Sequence, residues 1–286
     1  MANPYRPAFS LRKQFSRLPK VVVYLLLFVW ALISLVPIYW MVIGSLKTPS
    51  LAIAIPPEWI PSKATFANFR SLFMAAKMGR WTINSLLVSS VVTGIYLITS
   101  SMAGYAFAKK QFHGRNLIFW LYISTMLVPW FVLLVTSYTV IVDLGWVNTY
   151  WALIVPDLAG PFGAFMMRQF IQSLPSELFD AARIDGCSEW GIFWRIVFPL
   201  SAPALGVLAV FSFSSEWNSF IWPLTVTTRD KMWTLPVGLA SLQHVKVTNF
   251  SLLMAGATYT ALPMILIFLF AQKYFLKGIT VGAVKG

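Results

Sequence analysis

Six apolar stretches, each long enough to cross about 30 Å of hydrocarbon as a helix of about 20 residues, constrain this chain more than any other feature. They run from about Val21 to Ile43, Ile83 to Ala108, Leu117 to Val140, Tyr150 to Met167, Pro199 to Trp222 and Leu252 to Gln272, the last interrupted by Pro263. In lipid every backbone N–H and C=O needs a partner within the protein, so stretches of this kind fold as helices. Composition agrees: 11% of the 286 residues are charged, against about 25% in a soluble domain. The expectation is an all-α integral membrane protein with six transmembrane helices. It has a basic tail over residues 1–20 and a single transmembrane domain over 21–286. The first run carries no charge from Val21 to Gly44 and no small-residue cleavage site closes it, so it reads as a retained span rather than a signal peptide.

Positive charge sets the sidedness. Fourteen Lys and Arg fall in the N-terminal tail, the loop between spans two and three, the segment between spans four and five, and the C-terminus, against eight on the opposite side. Both termini are therefore expected in the cytoplasm. The same distribution disposes of nucleic acid as a partner for this +13 chain: its basic residues sit at the ends of apolar runs, not on one patch. A lone Cys187 and the distant His113 and His244 offer no disulfide and no metal site, and no cofactor is expected in this chain. On the outer side, Ile55-Pro-Pro-Glu-Trp-Ile-Pro61 cannot be regular helix, because proline fixes φ and excludes the preceding residue from the α region.

One polar segment breaks the apolar pattern. Residues 175–199 hold Glu177, Asp180, Asp185 and Glu189, four of the nine acidic residues, together with Arg183 and Arg195. Ser176 is placed to cap a helix whose first turn carries Glu177. Leu178, Ala181 and Ala182 follow at helical spacing, and Gly186 stands where a left-handed C-terminal cap is wanted. A second short helix is expected from Ser188, with Ile192, Phe193, Ile196 and Val197 on one side, stopped by Pro199 at the start of span five. The result is a helix–turn–helix on the cytoplasmic membrane surface. Charge concentrated there marks the place where a membrane protein meets a soluble partner.

The spacing Asp180-Ala181-Ala182, three residues, Gly186, nine residues, Ile196-Val-Phe-Pro199 resembles the "EAA" signature of ABC-importer permease subunits. Asp180 stands where that signature has Glu, and Phe198 where it has Leu. The segments Glu216-Trp-Asn-Ser-Phe-Ile-Trp-Pro-Leu224, Thr234-Leu-Pro-Val-Gly238 and Gly282-Ala-Val-Lys-Gly286 are similar to the carbohydrate branch of binding-protein-dependent importers, of the maltose-importer second-permease type. The resemblance covers essentially the whole chain. It implies a multi-pass protein of the bacterial cytoplasmic (inner) membrane in which Glu177, Asp180, Ala181, Ala182, Asp185, Gly186 and Pro199 form the coupling site for a cytoplasmic ATPase. It also implies a homologous second permease, two ATPase copies and an extracytoplasmic solute-binding protein. No phosphate loop is present, since Gly-Lys does not occur in the chain. ATP and Mg would therefore be bound by the partner ATPase, and this chain is a transport subunit rather than an enzyme. Alternating access of a sugar, oligosaccharide or polyol phosphate is the expected activity.

Ionisable groups inside a span are functional candidates by default, and two stand out. Asp157 follows Pro156 in span four; Glu216 lies in span five beside Trp217, Asn218 and Trp222. Rings, an amide and a carboxylate are the chemistry of a sugar site. The same residues also suit hydrogen bonds to a paired subunit and an interfacial aromatic belt, and Asp157 suits pairing with backbone freed by Pro156. Asn84, Ser137 and Tyr138 are further candidates for a lining, and Ala202 with Gly206 for close helix packing. An ion-coupled secondary transporter is the alternative. It would need intramembrane carboxylates or histidines and broken helices in two related halves; only the two carboxylates are available, and no internal repeat is evident.

Overall fold

A computed structural model describes residues 20–49, 55–75, 77–242 and 249–283, the side chains of 75 and 271–283 excepted. The tail through residue 19, His244, Lys246 and the last three residues lie outside the described residues. Every regular element among the described residues is a helix. The first is α1 (Lys20–Ser45), then a short α2 (Ala67–Ala75) and the long α3 (Met78–Lys109). The loop between α1 and α2 is non-helical from residue 55 to 66, as its prolines require. It is tied to the end of α1 by Tyr39 Oη donating to the Trp59 carbonyl at 2.6 Å and by the buried Lys47 donating to that of Glu58.

Span three was expected as one helix and is two. Helix α4 (Arg115–Ser124) runs on through a 3-10 turn to Leu127, and α5 (Trp130–Asp143) leaves at 99°. Pro129 is the cause. It offers no N–H, and it forces Val128 to extended backbone, φ −80° and ψ 117°. Span four breaks too, into α6 (Tyr150–Ile154), a 3-10 turn Val155–Asp157 and α7 (Pro161–Gln172). Pro156, Gly160 and Pro161 interrupt the ladder between them.

Beyond the polar insert, with α8 (Glu177–Ile184) and α9 (Glu189–Ile192), a π turn over Phe193–Val197 leads into α10 (Phe198–Leu200). Helix α11 (Ala202–Trp217) then departs at 76°. Pro199 thus does not stop the helix, contrary to expectation. The widened π turn carries the chain past a residue without an N–H. Pro203 then removes a second donor, and the bend falls between them at Ser201. Helices α12 (Ile221–Val226), α13 (Leu235–Ser241) and α14 (Phe250–Ala283) complete the chain. Span five ends at Trp217, so Trp222 belongs to α12, and Pro263 is accommodated inside α14. Among the described residues three helices are long and apolar enough to cross a membrane unaided, or up to five if each bent pair is one span.

Helix α3 packs along α7 and α11, and α14 packs against α1 and α11. Gly104 makes the first contact possible. A Cβ there would lie 2.6 Å from Met167 Cβ and 2.8 Å from the Arg168 backbone nitrogen, and backbone cannot yield as a side-chain tip can. Within this chain α11 buries Ala204, Leu205 and Leu208, while Ala202 is exposed. Replacing Gly104 by Val is expected to force α3 and α7 apart and lower stability by about 1–3 kcal/mol, measured as thermal unfolding of the detergent-solubilised protein.

Candidate functional site

The polar insert folds against the end of α3 that carries Lys109 and Lys110. Helix α8 ends in a Schellman motif: Gly186 sits at φ +78° with its N–H on the Arg183 carbonyl at 3.0 Å, and Cys187 N–H reaches the Ala182 carbonyl at 2.9 Å. Ser188 caps α9, its Oγ accepting from Gly191 N–H at 3.2 Å. Ser176 does not cap α8. Its own dihedrals are helical, φ −70° and ψ −28°, and its hydroxyl faces Lys109 Nζ at 3.4 Å.

The buried face of α8 is Phe179 and Ala182, while Leu178 and Ala181 turn outward. Phe179 packs on Tyr105 with ring centres 6.0 Å apart, and the Lys109 ammonium lies 5.2 Å from its ring. Ile192, Phe193 and Val197 close the same core. Glu177, Leu178, Asp180, Ala181, Ile184, Asp185 and Gly186 form an exposed surface, with Ile184 86% exposed. Pro199, fifteen residues further on by the path through α9, is exposed as well but lies outside α8. Asp180 Oδ1 accepts from Arg183 Nη1 at 2.8 Å, an ion pair within the chain. Glu189 binds Arg183, Tyr105 and Lys110; the hydrogen bond from Lys110 leads in holding its carboxyl below the usual glutamate range.

A second feature lies within the helices. A cavity of about 500 Å³ is lined by Tyr96 of α3, Asp157 and Phe162 of the broken span four, and Phe211, Ser212 and Glu216 of α11. A neighbouring cavity of about 360 Å³ shares Asp157, Ser215 and Glu216 and adds Trp130, Ser137 and Trp222. The two intramembrane carboxylates, 59 positions apart in sequence, thus line common walls. The rings of Phe162 and Phe211 meet edge to face, centres 6.2 Å apart. Backbone freed at the break in span four is taken by α3: Thr99 Oγ1 donates to the Leu158 carbonyl at 2.7 Å, and Gly163 N–H donates to Tyr96 Oη at 2.9 Å.

The other pathway candidates are placed differently. Trp217 lines neither cavity; it is fully buried, stacked on Phe213, with its indole N–H on the Thr260 carbonyl at 3.1 Å. Adjacent residues on a helix point about 100° apart, so Glu216 and Trp217 face different neighbours. Asn218 lines a separate, largely apolar groove between α1, α11, α13 and α14. Trp222 donates to the Ala152 carbonyl at 2.9 Å and offers the smaller cavity an edge. Asn84 is buried and lines neither, donating to the Lys231 and Trp233 carbonyls at 2.9 and 2.8 Å, and Tyr138 packs in the cluster around Trp222. Sequence reasoning passed over Tyr96, Phe162, Phe211 and Ser212, because only the proline breaks bring them together.

Residues 95–281, which contain both the insert and the cavity walls, match the family described as "Binding-protein-dependent transport system inner membrane component". The chain belongs to this family. It is 40% identical over 259 residues to the arabinooligosaccharides transport system permease protein AraQ of Bacillus subtilis, covering 90% of this chain and 92% of that one. It is 32% identical to the lactose transport system permease protein LacG of Rhizobium radiobacter, covering 94% and 97%. A solved bacterial ABC transporter that imports the acidic polysaccharide alginate has a chain of the same fold: TM-score 0.79 at 20% identity, covering 94% of this chain and all of that one. This is a multi-pass inner-membrane ABC permease, a transport subunit of the carbohydrate group.

Placement separates packing from pathway. Trp217→Ala is expected to cost about 3–5 kcal/mol of folding stability. The volume-conserving Glu216→Gln should leave thermal unfolding close to wild type; equal losses in the two melting curves would contradict the placement.

Proposed function

We propose that this chain is the membrane-spanning subunit of an ATP-driven importer of uncharged oligosaccharides, with α8 as its coupling helix. The observation that carries this reading is the insert itself. A segment with the family's signature spacing forms a capped helix whose apolar side is docked on α3 and whose other side, from Glu177 to Gly186, is exposed. On this reading α6, its following turn and α7 make one broken crossing, giving six spans. The insert and both termini lie in the cytoplasm. Two copies of an ABC ATPase bind ATP and Mg and engage α8; a homologous permease completes the pathway, and a solute-binding protein delivers cargo from outside.

Relatives named for arabinooligosaccharides and lactose support an oligosaccharide cargo. The cavities narrow it further. Their linings contain Asp157 and Glu216 and no Lys or Arg, so an anionic polyol phosphate would be desolvated there without a compensating cation from this chain, which is costly. Carboxylates and serine hydroxyls suit sugar hydroxyls, and the Phe162–Phe211 pair suits an apolar sugar face.

The test is uptake by proteoliposomes holding the full complex, with an arabinooligosaccharide as probe. Uptake that requires ATP supports the proposal; uptake driven by an ion gradient alone would overturn it. In the same assay Glu216→Gln and Asp157→Asn are each expected to lower uptake about tenfold, roughly the loss of one hydrogen bond to a charged group, with the ATPase still bound. For the coupling role, no heavy atom lies within 4 Å of a Cβ built on Gly186, so substitution there meets only the left-handed backbone. Gly186→Val should cost about 1–2 kcal/mol in the local fold and reduce the ATPase that co-purifies. Gly186→Asn, whose side chain tolerates that conformation, should reduce it less.

A further inference from the structure

We infer that Glu189 is a positioning residue that ties the coupling helix to α3, so that α3 follows α8 when the ATPases move it. The inference rests on the reading of α8 given above, but its tie runs through Glu189, Tyr105 and Lys110, which that reading does not use. The two oxygens of the Glu189 carboxylate are divided between the two bodies. Oε1 accepts from Arg183 Nε of α8 at 3.4 Å. Oε2 accepts from Tyr105 Oη of α3 at 2.9 Å, and the Lys110 ammonium at the end of α3 closes on the same oxygen. Arg183 in turn holds Asp180, the acidic residue of the signature, at 2.8 Å. A continuous polar connection therefore runs from Asp180 through Arg183 and Glu189 to α3.

Its far end is the cavity. Tyr96 lies nine residues before Tyr105 on the same helix, about 13 Å along its axis at 1.5 Å per residue. Tyr96 lines the larger cavity and accepts the Gly163 N–H of α7. Moving α3 therefore moves a wall of the cavity, and carries with it α7, which is packed on α3 at Gly104 and hydrogen-bonded to Tyr96.

Apolar packing between α8 and α3 is already present through Phe179 and Tyr105. Such contacts resist compression, but they let two surfaces slide or part. A carboxylate held from both sides resists separation, which is the load on α3 when α8 is drawn away. The ion-paired groups of the connection are partly exposed, Glu189 by 52%, Arg183 by 40% and Lys110 by 28%, while Tyr105 is buried. Pairs exposed to this degree contribute little to folding, so removing them should alter transmission and leave the fold in place.

The experiment uses the full complex in proteoliposomes and reads arabinooligosaccharide taken up per ATP hydrolysed. Glu189→Gln is expected to assemble with its ATPase and to lower this ratio at least about 5-fold, the lower range of allosteric coupling. Because the connection is serial, Lys110→Met and Arg183→Met should each lower the ratio, and the double variant should be no worse than the poorer single one. An unchanged ratio in Glu189→Gln, or fully additive losses in the double variant, would overturn the inference. Should the wild-type complex take up none of this probe, the carbohydrate reading fails instead. A second measurement then decides: spin labels at Ser176 and Gln111, with Cys187 replaced by Ser, report the distance from the residue that precedes α8 to the segment that follows α3. That distance should stay constant between nucleotide-free and ATP-bound states in wild type and change in Glu189→Gln. Equal behaviour of the two proteins refutes the tie.

Discussion

The close approach of α3 and α7 at Gly104 sets the register of everything else in this protein. Between helices in lipid the hydrophobic effect provides no net attraction, and contact depends on packing and polar bonds. Gly104 lets the α7 backbone lie against α3, and the gain is a rigid pair. The two ends of α3 then become fixed platforms. At one end Tyr105, Lys109 and Lys110 receive the polar insert. At the other, Lys77 pairs with Asp230, the Trp81 indole donates to the Asp230 carbonyl at 2.9 Å, and Asn84 holds the chain at Lys231 and Trp233. One helix, 32 residues and about 48 Å long at 1.5 Å per residue, therefore joins the polar insert to the loop around Asp230 and passes the cavity between them.

The cavity exists because span four is broken. Irregular backbone at membrane depth is tolerated only where protein or a water-filled space satisfies it. Here α3 supplies that satisfaction through Thr99 and Tyr96. With its backbone neighbours served in this way, the turn at Val155–Asp157 can present Asp157 toward Glu216 and Ser215. A straight helix through residues 150–167 would have given the same hydropathy without this chamber. Pro156 and Pro161, at the break, are thus among the residues that create the site.

Legibility in the sequence followed the range of the interaction. The insert was readable because its determinants are local: Gly186 takes positive φ, and Ser188 caps a helix three residues on. Which face α8 buries was not legible, since neighbouring apolar positions compete in an eight-residue helix; Phe179 and Ala182 turn inward, and Leu178 and Ala181 outward. The carboxylates were readable as expensive groups, but their convergence was not, because it depends on the bends at Pro156 and between Pro199 and Pro203. The grouping of Glu216 with Trp217 and Asn218 failed as a single surface for a simpler reason. Consecutive residues on a helix diverge by about 100°, and Trp217 went to the core with Phe213 while Asn218 went to another groove.

The energetics of the insert divide along the same line. Burial of Phe179, Ile192, Phe193 and Val197 contributes about 1.5–3 kcal/mol per side chain, and this holds α8 and α9 in place. The ion pairs around Arg183 are half exposed and are worth about 0–1 kcal/mol each. Asp180, 64% exposed and paired with Arg183 through Oδ1, keeps carboxylate surface open to a further cation. Its arm is one methylene shorter than that of the glutamate usual in the signature, and Arg183 already holds it at the helix surface. An approaching cation meets a carboxylate that is oriented but not strongly bound. Packing fixes where the proposed coupling helix sits, and charge decides what it engages.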